Sequence, residues 1–114
     1  MKAAYISALI ALALFFGRSL SAADGQVVTS RNVGTQANSL SSVAVAADNE
    51  VWAVGWAFQQ AAGAYRTLVE HWNGSSWSIV RSPNATKGYN LLNGVAVVAA
   101  NDAWAVGQAA NGNT

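Results

Sequence analysis

The stretch DNEVWAVGWA, residues 48–57, occurs a second time in altered form as ANDAWAVGQA, residues 100–109. The two stretches lie 52 residues apart and share the tetrapeptide W-A-V-G. When residues 27–62 are placed over residues 79–114 without a gap, fifteen of the 36 positions are identical. A fixed period of about 50 residues is typical of solenoids, propellers and other repeat arrays. The sequence therefore predicts a repeat protein.

The pattern inside one unit is that of β-strands. Four short segments bounded by turn-forming residues are expected to form antiparallel strands, at 41–47, 51–58, 65–72 and 77–82. Asn73-Gly74 is a strong hairpin signal between the last two, because a type I′ turn requires positive φ at both of its central residues. Four strands in 40–50 residues describe one propeller blade. The predicted fold is all-β.

The second predicted strand is apolar on both faces. Trp52, Val54, Trp56 and Phe58 alternate with the small residues at 53, 55 and 57. A sheet at a protein surface would place polar residues on its outer face. Radially stacked blades instead require a bulky face on one blade and a small face on its neighbour. The residues interpreted as the structural repeat are Trp52, Gly55, Asn73, Gly74, Trp104 and Gly107.

In the segments named below, the chain resembles the kelch-like, galactose-oxidase-central-domain type of bacterial secreted β-propeller. The segments that carry the resemblance are Leu40–Gly55 and Leu68–Asn84, the second of which begins L-V-E-H-W-N-G-S-S-W. The resemblance implies a protein of several four-stranded blades. It implies little about activity, because propellers carry many unrelated functions.

The chain holds about one and a half such units. Residues 24–39 are predicted to be a lone outer strand of a preceding or closing blade. Residues 40–91 form a complete blade, and residues 92–114 form the first two strands of the next. The chain is therefore interpreted as an incomplete propeller, either a fragment or a truncated reading frame. Such an array is expected to be partly unfolded, to aggregate or to associate with its own copies.

The first 23 residues read as a signal peptide. Lys2 precedes fourteen uncharged residues, 3–16, and small residues follow at Ser21 and Ala23. The apolar run is shorter than the roughly 20 residues of a membrane span, so cleavage is favoured over an uncleaved anchor. The mature protein is expected to be secreted, extracellular or periplasmic, and not attached to a membrane.

Composition limits the classes of partner. After removal of residues 1–23, four basic and five acidic side chains remain, so the mature net charge is −1. No basic patch is left to follow a phosphate backbone, which argues against nucleic-acid binding. The chain has no cysteine, so its stability is expected to come from packing rather than disulfides.

Few residues suggest chemistry. His71 is the single histidine, and no second histidine or cysteine stands near it to build a metal site. Asp48-Asn49-Glu50 reads as a turn rather than a calcium loop. A galactose-oxidase-like copper centre would need several histidines and tyrosines and a cysteine. No catalytic residue, metal or cofactor is predicted.

Asn73 and Asn84 each begin a glycosylation sequon in a predicted loop.

The expected function is a non-catalytic binding or interaction scaffold, with a protein or a glycan as its ligand. One alternative is a carbohydrate-binding propeller, because RTLVEHWNGSSW, residues 66–77, resembles the blade motif of small fucose-binding lectins whose short chains close a ring by trimerising. A second alternative is the non-catalytic part of a secreted carbohydrate-active or oxidase-type enzyme. The candidate ligand-binding residues are Arg66, Glu70, Trp72 and Trp77.

The signal-peptide interpretation predicts where the mature chain begins. We expect its first residue to lie within one position of Asp24, because the small residues at 21 and 23 fit the cleavage pattern. N-terminal sequencing of secreted protein measures this directly. Secreted material that still starts at Met1 would contradict the prediction.

Overall fold

The computed structural model describes residues 28–111, which form six β-strands and no helix. The predicted signal peptide at 1–23 lies outside the described residues. Within the described range, no helical segment has the length and hydropathy needed to cross a membrane. The strands are β1 (Asn38–Ala47), β2 (Glu50–Gln59), β3 (Ala64–Trp72), β4 (Trp77–Ile79), β5 (Tyr89–Ala99) and β6 (Asp102–Ala110).

Strands β1 to β4 form one antiparallel sheet in the order β1-β2-β3-β4, which we call sheet A. Strands β2 and β3 pair without interruption from Val51 with Trp72 to Gln59 with Ala64. Strand β4 is short, but its hydrogen bonding continues from Val80 N–H to the carbonyl of Val69 at 2.8 Å. The predicted all-β unit of four sequential antiparallel strands is confirmed.

Strands β5 and β6 form a second antiparallel sheet, sheet B. Its register repeats that of β1 and β2 at the 52-residue offset. In sheet A the pairing shifts between Leu40 and Ser42, and in sheet B it shifts between Leu92 and Gly94. Both sheets also have a second shift near the end of the first strand. The two sheets correspond to a four-stranded blade and the first half of another, an arrangement consistent with an incomplete propeller.

The small face of sheet A forms the core. A cluster of buried apolar residues lies on this face, and Val28 and Val33 from the preceding segment pack against it. Ala53 and Ala57 leave room there for larger neighbours from the other strands and from residues 28–37. The buried cluster consists of Leu40, Val51, Ala53, Ala57, Leu68 and Trp77.

Strand β5 of sheet B packs on the large face of sheet A. Val54 on this face is buried, and Ser42 Oγ accepts a hydrogen bond from Val95 N–H at 3.3 Å. Within β5, Val95 and Val97 are half-buried whereas Val98 is exposed. Strand β5 of sheet B therefore packs on the large face of sheet A, whereas the small residues of β6 at 105, 107 and 109 are exposed.

The equivalent large face of sheet B is open among the described residues. Trp104 is 67% exposed, although its counterpart Trp52 is half-buried. The physical reason is that the imidazole of His71 packs on Trp52 and β5 packs on the sheet face that holds it, while no described element lies over the face that holds Trp104. We expect Trp104 to be buried in a complete propeller, where a neighbouring sheet would pack on this face.

The structure differs from the predicted strands in three places. Residues 28–37, the described part of the segment before β1, contain no strand, and Val28 and Val33 pack against the core cluster; residues 24–27 of the expected lone strand lie outside the described range. Strand β4 ends at Ile79 rather than at residue 82. The β3–β4 hairpin closes between Trp72 and Trp77, so its loop has four residues instead of the two of a type I′ turn.

The glycine of W-A-V-G is required by a close approach of two backbones. A Cβ atom on Gly55 would lie 1.9 Å from the carbonyl oxygen of Ser39. The same atom on Gly107 would lie 1.9 Å from the carbonyl oxygen of Leu91, which is the equivalent contact in sheet B. Each contact sits beside the first register shift of its sheet, so the glycine accommodates the bulge.

Alanine at these glycines should therefore destabilise the fold. We expect Gly55→Ala and Gly107→Ala to lower the free energy of unfolding by about 1–3 kcal/mol or more each, because the obstructing atom is backbone and has little freedom to move. Gly94→Ala is the matched control, since its Cβ would lie 3.4 Å from a Val106 methyl, an ordinary contact. Denaturant unfolding of the three variants measures the difference, and equal stability of Gly94→Ala and Gly107→Ala would refute the account.

Candidate functional site

The four predicted ligand-binding residues cluster on the small face of sheet A. Arg66, Glu70 and Trp72 alternate along β3, and Trp77 lies opposite Trp72 at the start of β4. Their neighbours across β2 are Ala57, Ala53 and Val51, respectively. The structure thus places all four on one face of sheet A, three on β3 and one on β4. Their individual surroundings decide what they can do.

Arg66 is occupied in holding a loop. Its Nη1 donates hydrogen bonds to the carbonyl oxygens of Thr86 at 2.9 Å and Gly88 at 3.2 Å, and its Nη2 donates to that of Lys87 at 3.1 Å. The guanidinium thus engages three successive carbonyls of the connection between β4 and β5. Its planar array of donors suits this task better than a lysine would.

Asn90 holds the same connection from the other side. This buried amide accepts from Thr86 N–H at 3.1 Å and donates to the carbonyls of Thr86 at 3.1 Å and Gly88 at 3.0 Å. Asn38, its counterpart 52 residues earlier, accepts from Val33 N–H at 2.8 Å and donates to two carbonyls before β1. The identity of these two residues in the repeat was the sequence signal, but it carried no indication of their role.

Glu70 is a fully buried carboxyl group in the core. Its Oε2 accepts a hydrogen bond from Arg31 N–H at 3.3 Å, while Oε1 has no hydrogen-bond partner among residues 28–111. Burial raises the pKa of Glu70 to about 7, and the backbone N–H and the positive charge of Arg31 oppose that rise. This environment disfavours the charged carboxylate that a sugar-binding role would use.

Trp72 and Trp77 form an aromatic pair across β3 and β4. Their ring centroids are 5.6 Å apart with planes at 54°, and Trp77 is buried in the core cluster. Trp77 Nε1 has no acceptor within the described part of the chain. The pair closes the hairpin and fills the core, which is a packing role.

His71 and Glu50 form a polar pair on the large face. His71 Nε2 lies 3.1 Å from Glu50 Oε2, and the imidazole packs on Trp52 with ring centroids 4.5 Å apart. His71 and Glu70 point to opposite faces, as strand alternation requires. The sequence did not identify Glu50 as the partner of His71, because the two lie 21 residues apart.

The turn residues bond mostly to their own loops. Asn73 Oδ1 accepts from Ser75 and Ser76 N–H at 2.9 and 3.0 Å, and Gly74 has a φ of 97°. Asn84 Oδ1 accepts from Thr67 N–H at 2.9 Å, which fixes the chain after β4 along the edge of β3. Residues 28–111 contain no group of three or more histidine, aspartate or glutamate side chains placed to hold a metal ion.

A groove of about 170 Å³ lies where the two sheets meet. Pockets for drug-sized ligands are larger, at about 300–1,000 Å³. Two of its polar groups are already engaged, since Thr67 Oγ1 lies 2.7 Å from Ser82 Oγ and Asn90 holds the loop described above. The lining residues are Thr67, Pro83, Ala85, Asn90, Leu91, Leu92, Gly107, Gln108 and Ala109.

Comparison with known proteins gives no relative from which a role could be transferred. No protein-family model, no curated protein and no solved structure matches the chain.

The buried carboxyl group predicts a pH dependence of stability. The pKa of Glu70 is about 7 in the fold and 4.5 for an ordinary glutamate, so the folded state retains its proton to a higher pH than the unfolded state. Stability should therefore fall as pH rises from about 4.5 to about 7, by about 3 kcal/mol at most.

Glu70→Gln should remove this loss, because a neutral amide replaces the carboxyl group. Asp102→Asn, a change at an exposed residue, is the control and should retain the pH dependence. Thermal melts of the three proteins between pH 4 and 8 measure the effect. An unchanged slope in Glu70→Gln would contradict the assignment.

Proposed function

We propose that the chain is an exported β-propeller repeat protein that serves as a non-catalytic binding or interaction scaffold. The observation that carries the proposal is the packing of β5, the first strand of the second repeat unit, on the large face of sheet A. Stacked sheets with this alternation are the building principle of propellers, which present their loops and strand ends to partners.

The polar side chains support a structural role for the described residues. Arg66 and Asn90 hold the connection between the sheets, and Asn38 holds the one before β1. Glu70 lies in the core. Such charged and amide side chains are candidates for catalysis or ligand binding when only the sequence is known. Here they stabilise loops and packing.

The proposal includes the kelch-like identity and the secretion that the sequence suggests. The segments Leu40–Gly55 and Leu68–Asn84 carry the resemblance, and residues 1–23 carry the features of a signal peptide. An extracellular or periplasmic scaffold without cysteine would depend on stacking of its sheets for stability.

Carbohydrate binding is the second candidate, favoured by an aromatic cluster on the large face. Tyr65 contacts Trp56 and Phe58 edge-on, with ring centroids 4.8 and 5.2 Å away. Tyr65 is 40% exposed. Partly exposed aromatic rings are suited to stacking on sugars. This cluster is a better candidate than Trp72 and Trp77, whose rings face the core.

A glycan array with the full chain distinguishes the two candidates. If the ligand of the scaffold is a protein, we expect no glycan to be retained. The array is repeated with Tyr65→Ala and with Tyr89→Ala, whose tyrosine is similarly exposed at 39% but lies on sheet B. A glycan bound by the parent chain and by Tyr89→Ala, but lost in Tyr65→Ala, would replace the scaffold proposal with the lectin.

A further inference from the structure

The turn between β3 and β4 presents an asparagine followed by a glycine. Asn73 is exposed, and Gly74 follows it with a φ of 97°. The backbone nitrogen that follows an asparagine can attack the side-chain amide of that asparagine. Glycine hinders this attack least, because it has no Cβ atom. The turn is therefore a candidate site of spontaneous modification.

The amide carbonyl of Asn73 is held by two hydrogen-bond donors. Its Oδ1 accepts from Ser75 N–H at 2.9 Å and from Ser76 N–H at 3.0 Å. Attack at Cγ would place negative charge on this oxygen. Backbone N–H groups about 2.7–3.1 Å from such an oxygen stabilise the charge as it develops. The turn thus supplies donors at the atom where the reaction needs them.

The attacking nitrogen is not held in the same way. Among residues 28–111, the backbone hydrogen bond that closes this turn runs from Asn73 N–H to the carbonyl of Ser76 at 3.3 Å, and Gly74 N–H donates to no carbonyl of the turn. The Gly74 nitrogen can therefore lose its proton to solvent without breaking a bond within the turn.

The same two residues occur again inside β5, as Asn93 and Gly94. Asn93 is also exposed. On either side of it, however, Leu92 is paired with Gly107 and Gly94 is paired with Val106. Attack requires the backbone between the asparagine and the glycine to rotate, and pairing on both sides resists that rotation. Solvent exposure is thus similar at the two sites, whereas backbone freedom differs.

We propose that Asn73 is a site of spontaneous deamidation and isomerisation, and that β5 protects Asn93 from the same reaction. The Gly74 nitrogen gives its proton to a solvent base and bonds to Cγ of Asn73. The Cγ–Nδ2 bond breaks, and the amide nitrogen takes up a proton and leaves as ammonia. Water then opens the cyclic imide at either carbonyl, which gives aspartate or isoaspartate. The reaction does not involve the ligand of the proposed scaffold, so its failure would leave that proposal standing.

Isoaspartate would add a methylene group to the main chain of a crowded turn. A Cβ atom on Gly74 would lie 2.9 Å from Cβ of Asn49, which belongs to the turn between β1 and β2. A longer main chain would disturb this contact and the pairing of Trp72 with Trp77 that closes the hairpin. We therefore expect the modification to loosen the hairpin that holds Trp77 in the core.

The test follows both sites in one sample. The full chain is incubated at mildly alkaline pH and digested, and the conversion of amide to carboxylic acid at Asn73 and at Asn93 is measured by mass spectrometry. We expect Asn73 to convert faster by on the order of tenfold or more, since misplaced reacting groups lose rates of this size. Equal rates at the two sites, or no conversion of Asn73, would overturn the proposal. Asn111 is left out of the comparison, because Gly112 lies outside the described residues.

A second incubation in guanidinium chloride separates structure from sequence. Both asparagines precede glycine, so their rates should become similar once the strands are lost. If Asn73 keeps the same advantage in the denatured chain, the difference comes from the local sequence and the protection by β5 is refuted.

Asn73→Gln is the matched variant, because its longer side chain would have to form a larger and less favourable ring. After the same incubation, the melting temperature of the parent chain should fall and that of Asn73→Gln should stay constant. An equal fall in both proteins, or a parent chain that is converted at Asn73 and melts unchanged, would refute the expected loosening of the hairpin.

Discussion

The register between the first two strands of each sheet determines how the two sheets fit together. Side chains alternate along a strand, so a slip by one residue would exchange the large and small faces. The bulge beside Leu40 and the contact of Gly55 with the carbonyl of Ser39 define this register in sheet A. Gly107 makes the equivalent contact in sheet B, so both sheets have the same register and the same division into a large and a small face.

This packing leaves most polar side chains with structural tasks. The connection between the sheets has no regular hydrogen bonding of its own at residues 86–88, and Arg66 and Asn90 supply it from either side. Glu70 shows the cost of placing a carboxyl group in such a core, since its burial raises its pKa to about 7. Among the described residues, the charged side chain of Arg66 thus serves to order the chain between strands.

The sequence predicted the strands well and the side-chain roles poorly. The 52-residue repeat and the alternation around Trp52 were sufficient for the all-β fold, because both follow from periodicity. The partners of Arg66 are backbone carbonyls, which carry no residue-specific signal in a sequence. The burial of Glu70 depends on Arg31 and its neighbours, 39 residues away in sequence. The local motif therefore predicted a ligand-binding residue, whereas the structure places Glu70 in the core.

The paired asparagines, Asn38 and Asn90, bear on how such a protein can change length. Each fixes the backbone just before the first strand of its sheet, so each unit carries its own means of receiving the chain from the unit before it. A duplication or deletion of 52 residues would therefore move a strand set together with its entry connection. Gain or loss of a whole unit would leave the same asparagine hydrogen bonds at every junction between units. A change of any other length would separate an asparagine side chain from the loop that it orders.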